Sequence, residues 1–163
     1  MKKTFLFFAA LFAALVSFTL TSCDGNDPEE GVITLKMRNA DEGDTRLSLS
    51  HEDRTYAYVS ITSGNNFILG SYEYGVKCEI CDAGAKKLGA VTKVPSSGWT
   101  NELAVIPGHS YVVRVSTTNY YNNPDYKPVK YYYKIYVIDW INGASSGGII
   151  GAEVKYCEWE PNN

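Results

Sequence analysis

The chain has 163 residues, 45% of them hydrophobic, 13% aromatic and 20% charged, with a formal net charge of −3. At that length one domain is the default. The acidic balance excludes a nucleic-acid binder that works by bulk basic attraction, and the apolar fraction excludes a disordered polyelectrolyte.

The first predicted element is a leader. Met1-Lys2-Lys3 makes a positive start, and Phe5 to Leu20 is an uncharged apolar run of 16 residues. A bilayer span needs about 20, so the run reads as a secretory signal core rather than a span. Leu20-Thr21-Ser22-Cys23 then places a cysteine after small residues, and the chain turns abruptly polar. This resembles the lipobox of bacterial lipoproteins, whose cysteine is alkylated by a diacylglycerol and becomes the new N-terminus. The resemblance implies a signal peptide over 1–22, lipidation (with palmitate among the expected acyl groups) at Cys23, and an envelope or outer-membrane location. Only a thiolate supplies the nucleophile this step needs. Acyl methylenes at about 0.8 kcal/mol each would tether the chain without spanning. Removing the leader leaves 13 basic and 18 acidic side chains, a net of −5.

Residues 23–30 follow as the anchoring cysteine and an acidic flexible tether, Asp24-Gly25-Asn26-Asp27-Pro28-Glu29-Glu30, with no apolar residue to bury. It resembles the acidic stretch of surface-exported lipoproteins. A plain solvated linker in the periplasm stands beside that reading.

From Gly31 onward the hydrophobic period is two, the signature of strands. Ile33, Leu35 and Met37 share one face. Leu47 and Leu49 alternate with polar neighbours, and Ala57, Val59 and Ile61 oppose Tyr56, Tyr58 and Ser60. Tyr72, Tyr74, Val76, Cys78 and Ile80 are predicted to share a face against Glu73, Lys77, Glu79 and Cys81. Tyr111, Val113 and Val115 oppose Val112, Arg114 and Ser116. Pro107-Gly108 suits the centre of a type II turn, and Gly147-Gly148 a tight return between strands ending near Ile141 and starting near Ile149. No stripe of period 3.6 is long enough for a helix, so crossover helices are lacking. The expected fold is all-β: one antiparallel sandwich or small barrel over residues 31–160.

Two blocks of the second half carry a further resemblance. The first is Leu88-Gly89-Ala90-Val91-Thr92, Pro95, Gly98-Trp99 and Ala104 to Val112. The second is Tyr133 to Ile141 with Gly147 to Tyr156. Together they resemble a family of small lipoproteins of Bacteroides-type bacteria, described as a domain of unknown function. The resemblance implies an envelope lipoprotein with an all-β body, and no activity or site residue comes with it.

The chemistry-bearing residues each have a plainer role beside the functional one. Cys78-Glu79-Ile80-Cys81 has CxxC spacing, but on a strand an offset of three sends the two thiols to opposite faces, against redox or metal use. Cys81 and Cys157 are candidates for a disulfide across neighbouring strands, with Cys78 as a core thiol. His51 and His109 read as solvated loop histidines, without a nucleophile-elbow serine. Asn39, Asp41, Glu42 and Asp44 around Gly43 lack EF-hand spacing and read as an acidic turn. The glycines after 143 match no phosphate-binding pattern. The sequence therefore supplies no catalytic residues, metal or cofactor.

Seven of the 13 tyrosines fall between 120 and 136. On a strand from Val129 to Trp140, Val129, Tyr131, Tyr133, Ile135 and Val137 form a core stripe. The other face carries Lys130, Tyr132, Lys134, Tyr136 and Trp140, a candidate outward face for sugar rings or a partner's side chains. The plainer role is strand propensity with edge-protecting lysines. The expected function is a non-catalytic envelope module that binds a glycan or protein. An assembly accessory that pairs edge strands comes second, and a hydrolase on scattered carboxylates (Glu73, Glu79, Asp139, Glu153) third.

Overall fold

Alternating apolar and polar residues need two facing surfaces, and nine strands among the described residues supply them. They are β1 (Gly31–Lys36), β2 (Leu47–His51), β3 (Arg54–Ile61), β4 (Asn66–Ser71), β5 (Val76–Gly84), β6 (Glu102–Ala104), β7 (Ser110–Thr117), β8 (Lys130–Asn142) and β9 (Ile149–Trp159). A computed structural model describes residues 30–37, 45–118, 127–144 and 147–161. The expected signal peptide, Cys23, the tether up to Glu29, the Asn39–Asp44 turn, Tyr120, Tyr121 and Tyr126 lie outside the described residues.

The strands form two antiparallel sheets, one in the order β1-β9-β8-β7-β5 and one in the order β2-β3-β4-β6. They pack as a sandwich, the arrangement expected from the alternation. Its core is the predicted faces: Leu35, Leu49, Val59, Ile61, Val113, Val115, Ile135 and Val137 are wholly buried. Tyr111 spans the layers. Its ring meets Phe67 edge-on at 5.0 Å, and its hydroxyl donates to the Ala104 carbonyl and accepts from the Ile106 N–H, both at 2.9 Å. A buried tyrosine thereby satisfies its one polar atom without reaching water. The Pro107-Gly108 turn forms as expected: the His109 N–H donates to the Ile106 carbonyl, and Gly108 takes a φ of 82°, open to glycine without strain.

Two strand assignments change. The predicted face from Tyr72 to Ile80 is interrupted, because β4 ends at Ser71 and β5 starts at Val76. Tyr72 and Tyr74 lie on the intervening turn and are 52% and 76% exposed. β4 was hidden because Phe67-Ile68-Leu69 is apolar without alternation and Gly70 follows it.

Part of the outer face of the five-stranded sheet is also covered. The connection from β5 to β6 folds back over it, with a 3-10 turn at Leu88–Ala90. Leu88 packs on Tyr136, Ile138 and Cys157. Val91 packs with Val112, Trp159, Trp99 and Tyr132. Sheet edges gain protection too: Thr45 Oγ1 donates to the Thr34 carbonyl and accepts from the Lys36 N–H on the outer edge of β1.

Candidate functional site

The lysine–tyrosine face predicted on β8 exists as a row but is not a free surface. Lys134 is 2% and Tyr136 9% exposed, because the β5–β6 connection lies on them. The lysines serve their own aromatics. Lys87 Nζ sits 4.2 Å over the Tyr136 ring and donates to its hydroxyl, Lys134 Nζ sits 4.8 Å over Trp159, and Lys130 Nζ 5.5 Å over Tyr132. Trp140 leaves the row altogether. Val137 and Asp139 pair with the consecutive residues Val154 and Glu153. Ile138 is therefore an inserted residue that reverses the parity beyond it and turns Trp140 toward the main core.

The Cys81–Cys157 disulfide does not form. Both thiols lie on the strap-covered face, as parity predicts, but the register runs Cys81, Val112, Lys134, Cys157 across four strands. At about 4.8 Å per strand the two are roughly 14 Å apart, twice the reach of a disulfide. All three described cysteines stand as thiols. Cys81 Sγ donates instead to the Ser97 carbonyl at 3.2 Å. Cys78 faces the main core, and burial, with Glu79 beside it, pushes its thiol up to about 12.

The histidines are half-buried and paired with carboxylates rather than free in solvent. His109 Nδ1 is 3.0 Å from Asp82 Oδ2, and His51 Nδ1 is 2.6 Å from Glu158 Oε1. Ser110, next to His109, is wholly buried and donates its hydroxyl to the Lys86 carbonyl, which keeps it out of a triad with the Asp82–His109 pair. Of the four scattered carboxylates only Asp139 and Glu153 come together, opposite each other on β8 and β9; Glu73 and Glu79 lie apart from them in ion pairs of their own. Glu73 holds Arg54 through two bonds of 2.9 and 2.8 Å. Glu79 holds Lys77 and Arg114, and Asp139 accepts from the Trp140 N–H.

The aromatic surface that does face outward is on the other sheet. Ser48, Tyr58 and Gly70 stand opposite one another across β2, β3 and β4. The Tyr58 ring lies over Gly70 so closely that a Cβ there would come 2.3 Å from its Cζ. Tyr72 packs beside it, ring centroids 5.0 Å apart and tilted by 50°. The Arg46 guanidinium sits 4.7 Å over the Tyr58 ring. Ile68 is partly exposed, and Asn66 donates to Glu102 at the rim. The Arg54–Glu73 fork ties the turn that carries Tyr72 to the β2–β3 hairpin. Tyr58 was legible as an outward residue. Its partners were not, since β4 shows no alternation and period two puts Tyr72 on one face with Val76 and Cys78.

A family model described as Domain of unknown function (DUF5036) matches residues 34–163. The chain belongs to that family. The match covers nearly all of the sandwich, starting within β1. No curated protein and no solved structure matches the chain.

Proposed function

We propose that this member of DUF5036 is a non-catalytic module of the bacterial envelope, lipidated at Cys23, that binds glycan on the open face of its four-stranded sheet. The observation that carries the reading is the Tyr58–Tyr72 pair with Arg46 above it. Sugar rings present C–H faces that pack on aromatic rings, and hydroxyls that need donors and acceptors close by. Tyr58 and Tyr72 supply the first. Arg46 and Ser48 stand beside Tyr58 with the second. Gly70 leaves room for the Tyr58 ring to lie against the sheet, which keeps the aromatic surface low.

The tether supports a particular presentation. Cys23 precedes Gly31 by eight residues, a reach of at most about 28 Å when fully extended. Gly31 pairs with Tyr156 at the end of the sandwich that also holds the His51–Glu158 contact. That end is then the one near the membrane, and the sheet face stands roughly along the normal.

Glycan-array binding by the full chain tests the site. Tyr58→Ala and Tyr72→Ala should each lower binding at least tenfold, and Gly70→Ala should do the same by displacing the Tyr58 ring. Tyr132→Ala and Tyr136→Ala should leave it intact. An array on which the wild type binds nothing, or on which Tyr58→Ala binds normally, overturns the site. Palmitate labelling lost in Cys23→Ser tests the anchor separately.

A further inference from the structure

β5 gives one edge to β7 and turns the other toward β4. On that second edge Ile80 exchanges both backbone hydrogen bonds with Thr100, at 2.7 and 3.0 Å. Residues two apart in an antiparallel ladder direct their N–H and C=O to the same side. Val76 and Cys78 therefore direct theirs to the Thr100 side as well. Across the gap, the Leu69 N–H donates to the Asn101 carbonyl at 3.2 Å, on the side away from β3. By the same period Ser71 turns its backbone groups into the gap.

The chain divides between the sheets at this point. Thr100 is bonded to β5, while Asn101 is already bonded to β4 and Glu102 pairs with Ile68. β6 covers β4 no further than Ile68. What remains is a cleft of about 540 Å³ between two strand edges, lined by Leu69, Ser71, Val76, Cys78, Glu79 and Thr100 among others. Among the described residues, no backbone partner reaches Val76, Cys78 or Ser71 on this side.

We propose that this cleft accepts an extended polypeptide segment of a partner protein, which adds to β5 as an antiparallel strand in line with Thr100. Three features select polypeptide. The open valences are backbone donors and acceptors at strand spacing, which a second backbone matches one for one. The chain itself seats one residue of such a strand at Ile80, so the edge is already in pairing geometry. Cys78 packs toward the core from β5, so the incoming strand is required to turn a small apolar side chain to that face at alternate positions. Glu79 is held by Lys77 and Arg114 on the opposite face, which leaves recognition to backbone and shape. The cleft meets the tyrosine face at Gly70, but it takes a different ligand and uses the backbone of Val76, Cys78 and Ser71 instead of the rings.

Ten-residue peptides selected from a random display library on the full chain supply the probe. The selected peptides should alternate apolar and polar residues, and their binding should slow amide exchange at Val76, Cys78 and Ser71. A copy N-methylated at alternate residues should bind at least tenfold more weakly. Cys78→Pro should weaken binding similarly, since it removes an outward N–H that bonds no other strand. The N-methylated copy reads the same point on wild-type protein if that variant fails to fold. Selection that yields no peptide, or peptides whose protection falls on Gly31–Lys36 or on the Tyr58–Tyr72 surface, overturns the proposal. A negative glycan array does not bear on it, so the two readings fail independently.

Discussion

His51 and Glu158 join the two sheets at one end of the sandwich: Nδ1 lies 2.6 Å from Oε1, and the His51 ring stacks on Tyr131 with centroids 4.9 Å apart. The Tyr131 hydroxyl in turn donates to the Leu49 carbonyl, and Tyr133 exchanges bonds with the Ser50 backbone. The end of β2 is thus held by β8 and β9 together. Glu158→Gln, which keeps the shape and loses the charge, should cost about 1 kcal/mol. His51→Ala also loses the stack and should cost about 2 kcal/mol. Urea midpoints measure both, and equal losses would show that the stack contributes nothing.

Glu79 sets part of the acid limit of the fold. Its hydrogen bond from Lys77, with those from Arg114, holds its carboxyl below the ordinary value of 4.5. A carboxylate whose folded value is depressed stabilises the protein above its unfolded value, and that contribution is lost as pH falls through the lower folded value. Glu79→Gln should therefore cost about 1 kcal/mol at neutral pH, with the gap to wild type closing below about pH 4. A gap that stays constant from pH 7 to about pH 3 would assign the loss to packing instead.

The alternation of small aliphatic residues made the sandwich legible. Leu35, Leu49, Val59, Val113 and Val137 all fall where period two places them, because a strand with one buried face leaves its neighbours no choice of side. Two local events were hidden. One is the insertion at Ile138, a backbone feature that carries no residue signature and inverts Trp140. The other is the strap across Lys134 and Tyr136. Parity assigns a side chain to a face but is silent on whether later chain covers that face, and Leu88 and Val91 are too far apart to suggest an element. Cys81 and Cys157 show the same limit, since their shared face was readable and the two strands between them were not. The acidic partners of His51 and His109 lie 107 and 27 residues away in sequence, beyond any local pattern.

At alkaline pH the tyrosines should set the limit. Burial pushes the hydroxyls of Tyr111 and Tyr133 up to about 12 and raises Tyr131 further in the same direction, with Glu158 adding to Tyr133. A group kept neutral by a raised folded value stabilises the fold below its unfolded value near 10, and that stability is lost as pH rises from there. An ultraviolet titration should show a late class of tyrosines that ionises together with unfolding. Tyr111→Phe should shrink that class and lessen the alkaline loss. At neutral pH it should cost about 1 kcal/mol, because the Ala104 carbonyl and Ile106 N–H lose their shared hydroxyl partner.

Gly151 is the position where β1 depends on a missing side chain. It stands opposite Lys36 in the β1–β9 pairing. A Cβ at Gly151 would lie 2.2 Å from the Leu35 carbonyl oxygen and 2.9 Å from the Lys36 Cα. Both are backbone atoms, so no rotamer change relieves the clash and the strand itself has to move. Moving β1 there also disturbs Leu35, wholly buried in the core, and the Met37 N–H bond to the Ile150 carbonyl. Gly151→Ala should therefore destabilise by about 3 kcal/mol or more, outside the range of ordinary surface substitutions. Amide exchange should show the loss concentrated in Gly31–Lys36, because β1 is an edge strand and can detach while β7, β8 and β9 stay paired. Uniform loss across both sheets would mean instead that β1 is integral to the cooperative core.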